Sequence, residues 1–299
     1  TVSALSGAGK STLSKRIVNS ITKNLAEKGF DCIALSFNFE MLAHKTVGRE
    51  VANAGKINLK ELYSSEHPLA ASRMDYIFNT YHKNLINYPI LYIEEPQNHS
   101  EIGNIIYTYW KELCKKNKSY MIVEIDHAVI TKGKDGQTQK DKVDTLMETL
   151  NSVKKKIASE GGNVFYVVLS QMNRDIKDKE RTQNPGLHYP ISSDMFGSSS
   201  CEFFSDYILI SHMPSKLNLQ SYTDNKFPVI LTNGEQDTQF IYWHLLKNRD
   251  GEPDLIIPML NNLKYFDFEE VSLEHFAIYH EEFKKTGRCN RIVAKEDKK

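Results

Sequence analysis

The chain has 299 residues, and 38 Lys+Arg against 38 Asp+Glu leave a formal net charge of zero. With 40% hydrophobic and 25% charged residues it has a globular composition, which excludes whole-chain disorder. Neutrality also excludes a uniformly basic coat for nucleic acid. The length suits one large α/β domain or two smaller ones. Apolar runs at 89–93 and 164–169 are far too short to span a bilayer. No charged-then-apolar leader opens the chain, which predicts a cytoplasmic protein without a membrane partner. Cys32, Cys114, Cys201 and Cys289 are scattered, with neither metal-ligand spacing nor a disulfide pattern, and read as reduced thiols.

Residues 1–5 read as the end of a strand, so the sequence is expected to have a region upstream of Thr1. Ser6-Gly7-Ala8-Gly9-Lys10-Ser11-Thr12 follows directly, and a helical pattern runs from 11 to about 28, stopping at Gly29. Strand, glycine-containing loop and helix in that order form a phosphate-binding loop. Glycines let backbone N–H groups close around phosphate oxygens, and the helix N-terminus adds partial positive charge. Lys10 would reach the β- and γ-phosphates, and the Ser11 hydroxyl would hold Mg²⁺. Ala4 stands where the pattern has its first glycine.

Residues 31–37 predict a buried strand that ends in Asn38-Phe39-Glu40-Met41, with a helix over 42–54. A carboxylate at the C-terminal end of a parallel strand lies on the ligand side of an α/β sheet. Glu40 is placed to act as general base towards water, although its position fits equally the start of the next helix. Residues 55–118 read as helical except for a strand at 88–93, whose Glu94-Glu95 pair reads as a solvated strand end. Lys111–Lys118 is a basic helix end that suits the macrodipole.

Residues 120–126 form the next strand, closed by Asp126, the carboxylate expected beside Mg²⁺. Glu124 alternates away from that position. The polar stretch 131–142 reads as a mobile solvated loop, 143–157 as an amphipathic helix, and 163–169 as a strand leading into Ser170-Gln171-Met172-Asn173-Arg174. Gln171 there can hydrogen-bond a γ-phosphate. Residues 175–200 are rich in Pro, Gly and Ser and show no element of their own, which marks a functional or disordered loop.

A strand is expected at 206–211, and two more at 240–247 and 254–260 around an Asp250-Gly251 hairpin turn. By spacing alone, Lys247 and Arg249 are ordinary charges on an exposed turn. Seven Lys/Arg against Glu296 and Asp297 give residues 284–299 a net +5, a disordered or partner-binding tail.

Five blocks in this order resemble the C-terminal, RecA-like ATPase domain of DnaB-type replicative helicases: SGAGKST at 6–12, SFNFEM at 36–41, IVEID at 122–126, VVLSQMNR at 167–174 and LLKNRDG at 245–251. The segment PILYIEEP at 89–96 is similar to the stretch ahead of that family's Mg²⁺ aspartate. The resemblance implies an α/β fold of the RecA-like P-loop NTPase type, a mostly parallel twisted sheet with helices on both faces and a C-terminal antiparallel extension. It implies a motor domain over 1–268 and a basic extension over 269–299.

It further implies ATP as substrate and Mg²⁺ as cofactor. Ser6, Gly7, Ala8, Gly9, Lys10, Ser11 and Thr12 would hold the phosphates, Ser11 and Asp126 the metal. Glu40 would be the catalytic base and Gln171 the γ-phosphate sensor. Lys247 and Arg249 would reach the neighbouring subunit's nucleotide as piston and arginine finger. The resemblance implies a homo-oligomeric ring, a hexamer, that translocates 5′ to 3′ on single-stranded DNA, with primase or a loader bound through an N-terminal region.

The family's DNA loop usually carries Arg followed by acidic and glycine residues. Here 193–202 reads SDMFGSSSCE, with Phe196 at the Arg position. Arg174, Phe196, Gly197, Ser198 and Ser199 are the DNA-contact candidates, by stacking and backbone amides. This divergence suits a phage or mobile-element type. Two other readings remain open: a RecA- or KaiC-like ATPase without unwinding, and an ATP-dependent assembly or loading scaffold.

Overall fold

The computed structural model describes residues 1–291 apart from 31, 88, 89, 96, 115–119, 134, 135, 233, 235 and 236; the side chains of 82–87, 114 and 198 also lie outside the description. The start of the strand expected at 88, the lysines at 115–118 and the tail from 292 fall outside the described residues.

The parallel part of the fold alternates strand and helix. β1 (Val2–Ala4) leads into α1 (Lys10–Glu27), and β2 (Cys32–Asn38) into α2 (Ala43–Gly55), α3 (Leu59–Leu62) and α4 (Ala71–Asn87). β3 (Ile90–Ile93) and α5 (His99–Cys114) precede β4 (Tyr120–Asp126), α6 (Gln139–Ser159) and β5 (Asn163–Gln171). Short α7 (Lys179–Gln183) and α8 (Ser198–Phe204) precede β6 (Tyr207–His212). The chain ends in β7 (Ile230–Leu231), β8 (Thr238–Asn248), β9 (Leu255–Asn262), β10 (Asp267–Glu270) and α9 (Leu273–Thr286).

The strands join into one sheet in the order β10-β9-β8-β6-β1-β5-β4-β2-β3, with β7 beside β8. From β6 to β3 every neighbour is parallel. From β6 through β8 and β9 to β10 every neighbour is antiparallel. The parallel strands are apolar on both faces because helices cover them. Leu35, Phe37, Val123 and Ile125 are fully buried, and each such side chain contributes about 1.5–3 kcal/mol. A separate small core of Val51, Ala52, Ile57, Ile77 and Tyr81 joins α2 to α4.

Two stretches differ from what the sequence predicts. The helix expected from 143 starts at Gln139, because Thr138 and Asp141 form a capping box that satisfies the first backbone donors. The stretch 175–200 is also not featureless. It holds α7, three 3₁₀ turns and the start of α8. Arg181 organises it by donating to the carbonyls of Leu187 (3.2 Å) and Tyr189 (2.6 Å) and by pairing with buried Asp194. A guanidinium satisfying several backbone carbonyls replaces the hydrophobic periodicity by which elements are recognised in sequence.

Beyond β10, α9 lays Phe276 against Phe227 and Phe240, with Tyr279 buried. Cys32, Cys201 and Cys289 are buried. Among the described residues no helix is long and apolar enough to cross a membrane.

Candidate functional site

The site is assembled at the C-terminal edge of the parallel strands. Ala4 and Gln171 are register partners at the ends of β1 and β5, as are Asn38 and Asp126 at the ends of β2 and β4. Parallel pairing therefore brings four motifs from distant parts of the chain to one edge, where ligands bind in open α/β sheets.

The loop 5–9 turns back on itself through the Ala8 N–H donating to Leu5 O at 3.0 Å, and Ser211 Oγ holds Ala8 O at 2.7 Å. Gly9, at φ +85°, caps α1 in the left-handed region, and a Cβ there would stand 2.7 Å from Phe268 Cζ. Glycine is needed at this position on both counts. Ala4, the departure from the usual pattern, ends β1 outside the left-handed region and tolerates its methyl group, being fully buried. A cleft of about 310 Å³ lies over the loop, lined by Ser6, Gly7, Lys10, Ser11, Glu40 and Gln171 among others.

Ser11 Oγ donates to Asp126 Oδ2 at 2.9 Å, while Asp126 Oδ1 is buried without a partner. Burial raises the Asp126 carboxyl to about 6, against the pull of Lys10. Burial likewise lowers Lys10, with Asp126 and Glu40 opposing it. An orphaned carboxylate oxygen beside a serine hydroxyl fits a hard divalent cation, which prefers oxygen ligands and keeps several waters. Among the described residues no cluster of three or more His, Cys, Asp and Glu could hold a metal. A cation here would therefore rely on Ser11, Asp126 and the phosphates of its nucleotide.

Glu40 is 56% exposed, with Oε2 3.8 Å from His127 Nε2. Burial, assisted by Lys10, lowers His127 to about 4, so the imidazole is neutral at pH 7. Gln171 is exposed at the end of β5, and its carbonyl accepts from Phe196 N–H at 2.8 Å. Ser170 Oγ donates to Phe196 O at 2.7 Å. The expected phosphate sensor and the expected DNA loop are thus directly joined. Phe196 itself is partly buried against the core. Gly197, at φ +71°, starts α8 with a Cβ position 2.6 Å from Val143 Cγ1. Arg174 and Ser199 are exposed, and the Ser198 side chain lies outside the described residues.

Lys247 and Arg249 are elsewhere. Tyr207, at the start of β6, pairs with Asn248, at the end of β8. The two cations therefore stand at the N-terminal edge of the parallel strands, opposite the phosphate loop. There Arg249 Nη1 pairs with Asp206 Oδ1 at 2.6 Å, and Lys247 Nζ donates to Glu202 O.

Several residues of the site are not evident from sequence. Glu124 is fully buried beneath α1, paired with Lys15 and accepting from Ser14 and Ser36, each at 2.6 Å. Burial alone would raise its pKa, but Lys15 and these donors hold the carboxylate below its ordinary value. A charge inside an apolar strand was the available signal, since such residues are buried only with a partner. Arg49 stacks its guanidinium 5.2 Å from the Phe266 ring centre, and both line the phosphate cleft and an adjoining 330 Å³ cavity. Lys216 Nζ lies 3.0 Å from a Cβ position on Gly7, bringing a second ammonium group to the loop.

Two solved structures share the fold. One, an ATPase domain, aligns with a TM-score of 0.68 and 18% identity over 91% of this chain and 84% of that one. The other, a DnaB-like replicative helicase described with its interactions with primase, aligns with a TM-score of 0.65 and 18% identity over 91% of this chain. This chain spans 58% of the latter's length. No curated protein sequence matches. The DnaB-like helicase C terminal domain matches residues 1–270, and with its phosphate loop, Asp126 and Gln171 on one sheet edge the chain belongs to that family of ATP-hydrolysing helicase motors.

Proposed function

We propose that the chain is the motor of a ring, a hexamer by resemblance, that hydrolyses ATP between subunits and translocates 5′ to 3′ on single-stranded DNA. The observation that carries this reading is the separation of the phosphate loop from Lys247 and Arg249, on opposite edges of the sheet. Neither cation can serve its own chain's nucleotide, whereas a head-to-tail neighbour would bring them to it, and heterologous contacts of this kind form a ring where the rotation between neighbours closes.

Ser6 to Thr12 would cradle the triphosphate. Ser11 and Asp126 would hold Mg²⁺, which would supply neutralisation of the triphosphate's charge. Glu40 would accept a proton from the attacking water, and Gln171 would bond the γ-phosphate. The Arg49–Phe266 pair offers a flat platform for the base. Lys10 inside the subunit, and Arg249 from its neighbour, would stabilise charge on the transferring phosphoryl group. The motor comprises residues 1–268, with 269–299 as an extension. By likeness to the replicative helicase studied with primase, a primase or a loader is the partner proposed for an N-terminal region of the whole protein.

Phe196 in place of the loop arginine favours a second reading, an ATPase that does not unwind. ATP turnover with and without single-stranded DNA, followed by strand displacement, tests both. DNA-stimulated turnover with displacement is expected. Turnover that ignores DNA would overturn the helicase reading, and stimulation without displacement would favour the second.

A further inference from the structure

We propose that Asp206 is the positioning residue for Arg249, holding its guanidinium in the direction from which it enters the neighbouring subunit's site. This inference rests on the between-subunit reading of Arg249.

Three contacts define the arrangement. The Arg249 N–H donates to Asp206 O at 3.0 Å, which fixes where the side chain leaves the backbone. Arg249 Nη1 meets Asp206 Oδ1 at 2.6 Å, which tethers the end of the side chain. Lys154 Nζ, from α6, takes the other oxygen, Oδ2, at 3.0 Å. Asp206 thus has both oxygens engaged by cations, and the ion pair to it engages one guanidinium nitrogen, Nη1. A guanidinium has five N–H donors, and on a side chain that is 54% exposed this leaves donors for a ligand.

The neighbouring contacts hold the same frame. Lys247 Nζ donates to Glu202 O in α8, and Tyr207 OH donates to Asp250 in the turn beyond Arg249. α8 begins at the DNA-contact candidates and ends two residues before Asp206. The seat of Arg249 is therefore set by the same short helix that carries the expected DNA loop.

Stability is not the purpose of this pair. Asp206 is 30% exposed and Lys154 46%, and ion pairs on a surface add little to folding. Orientation is different, because a small displacement of a charge-stabilising group can cost about 100-fold in rate.

The test is ATP turnover by the full-length protein at concentrations that support assembly. Asp206→Asn is expected to lower kcat about ten-fold or more, with KM and the thermal midpoint nearly unchanged. In an Arg249→Lys background, which keeps the charge but lacks the planar fork, the same substitution should cost little more. Asp206→Asn with full kcat, or with raised kcat, would overturn the proposal, the latter making Asp206 a restraint. An equal loss in both backgrounds would also overturn it, as a general structural effect. If Arg249→Ala keeps full turnover, the between-subunit reading itself fails, a result distinguishable from each of these.

Discussion

Ser11 Oγ donates to one oxygen of Asp126 at 2.9 Å and leaves the other oxygen buried without a partner. Two residues 115 positions apart are thus brought together beside the loop that precedes α1. A buried unsatisfied oxygen costs about 1–3 kcal/mol, more when charged, and under the proposed function a cation arriving with the nucleotide would satisfy this one. Asp126→Asn should reduce Mg²⁺-dependent turnover by about 100-fold or more. Because the substitution is nearly isosteric, the fold should be kept. Turnover against Mg²⁺ concentration checks this, and an unchanged dependence would remove Asp126 from the metal site.

The Lys15–Glu124 pair lies under the same helix, with Lys15 only 15% exposed and Glu124 1%. Removing one member of a buried pair leaves an uncompensated charge and costs about 3–5 kcal/mol. Lys15→Met and Glu124→Gln should each lower the denaturation midpoint, and the double variant should be more stable than Lys15→Met alone. Equal midpoints for all four proteins would mean that the pair is dispensable.

Arg249 and the phosphate loop stand at opposite sheet edges, so the two functions should complement between subunits. Lys10→Ala and Arg249→Ala chains, each inactive alone, should recover part of the wild-type turnover when mixed before assembly. Turnover per chain should also rise with protein concentration. Turnover per chain that stays constant down to dilute monomer would contradict a shared site.

The histidines between the loop at 188 and the antiparallel strands give a pH dependence of stability. His212 has both ring nitrogens buried without partners, and His244 Nε2 shares a proton with Tyr222 OH at 2.9 Å. Burial lowers His244 to about 3, and lowers His212 well below its ordinary 6.5. The unfolded chain therefore binds protons below pH 6.5 that the folded chain refuses. The stability these neutral rings retain is full above pH 6.5 and is lost as pH falls from there towards about 3. Each contributes a slope of at most about 1.4 kcal/mol per pH unit. Thermal midpoints between about pH 7.5 and 5 should show the fall, and His212→Leu should flatten it. A slope unchanged by that substitution would place the acid sensitivity elsewhere.

The elements of the candidate site are legible in local patterns. A glycine-containing turn between strand and helix, and apolar strands closing in Asp126 and Gln171, can be read directly because strand length and glycine placement are properties of short segments. The tertiary structure decided what spacing cannot express. Glu124 and Lys15 face each other only because parallel pairing stacks β4 beneath α1, over 109 residues of separation. The stretch around Arg181 looks structureless in sequence because its order comes from a guanidinium satisfying the carbonyls of Leu187 and Tyr189 rather than from any periodicity. Lys247 and Arg249 resemble ordinary turn charges in sequence. The antiparallel run of β8 beside β6 decides where they stand, at the edge opposite the loop that precedes α1. Zero net charge, read alone, speaks against nucleic acid. The fold limits that inference, since a motor needs positive potential only where its loops meet the strand, and a neutral chain can place its cations at one edge.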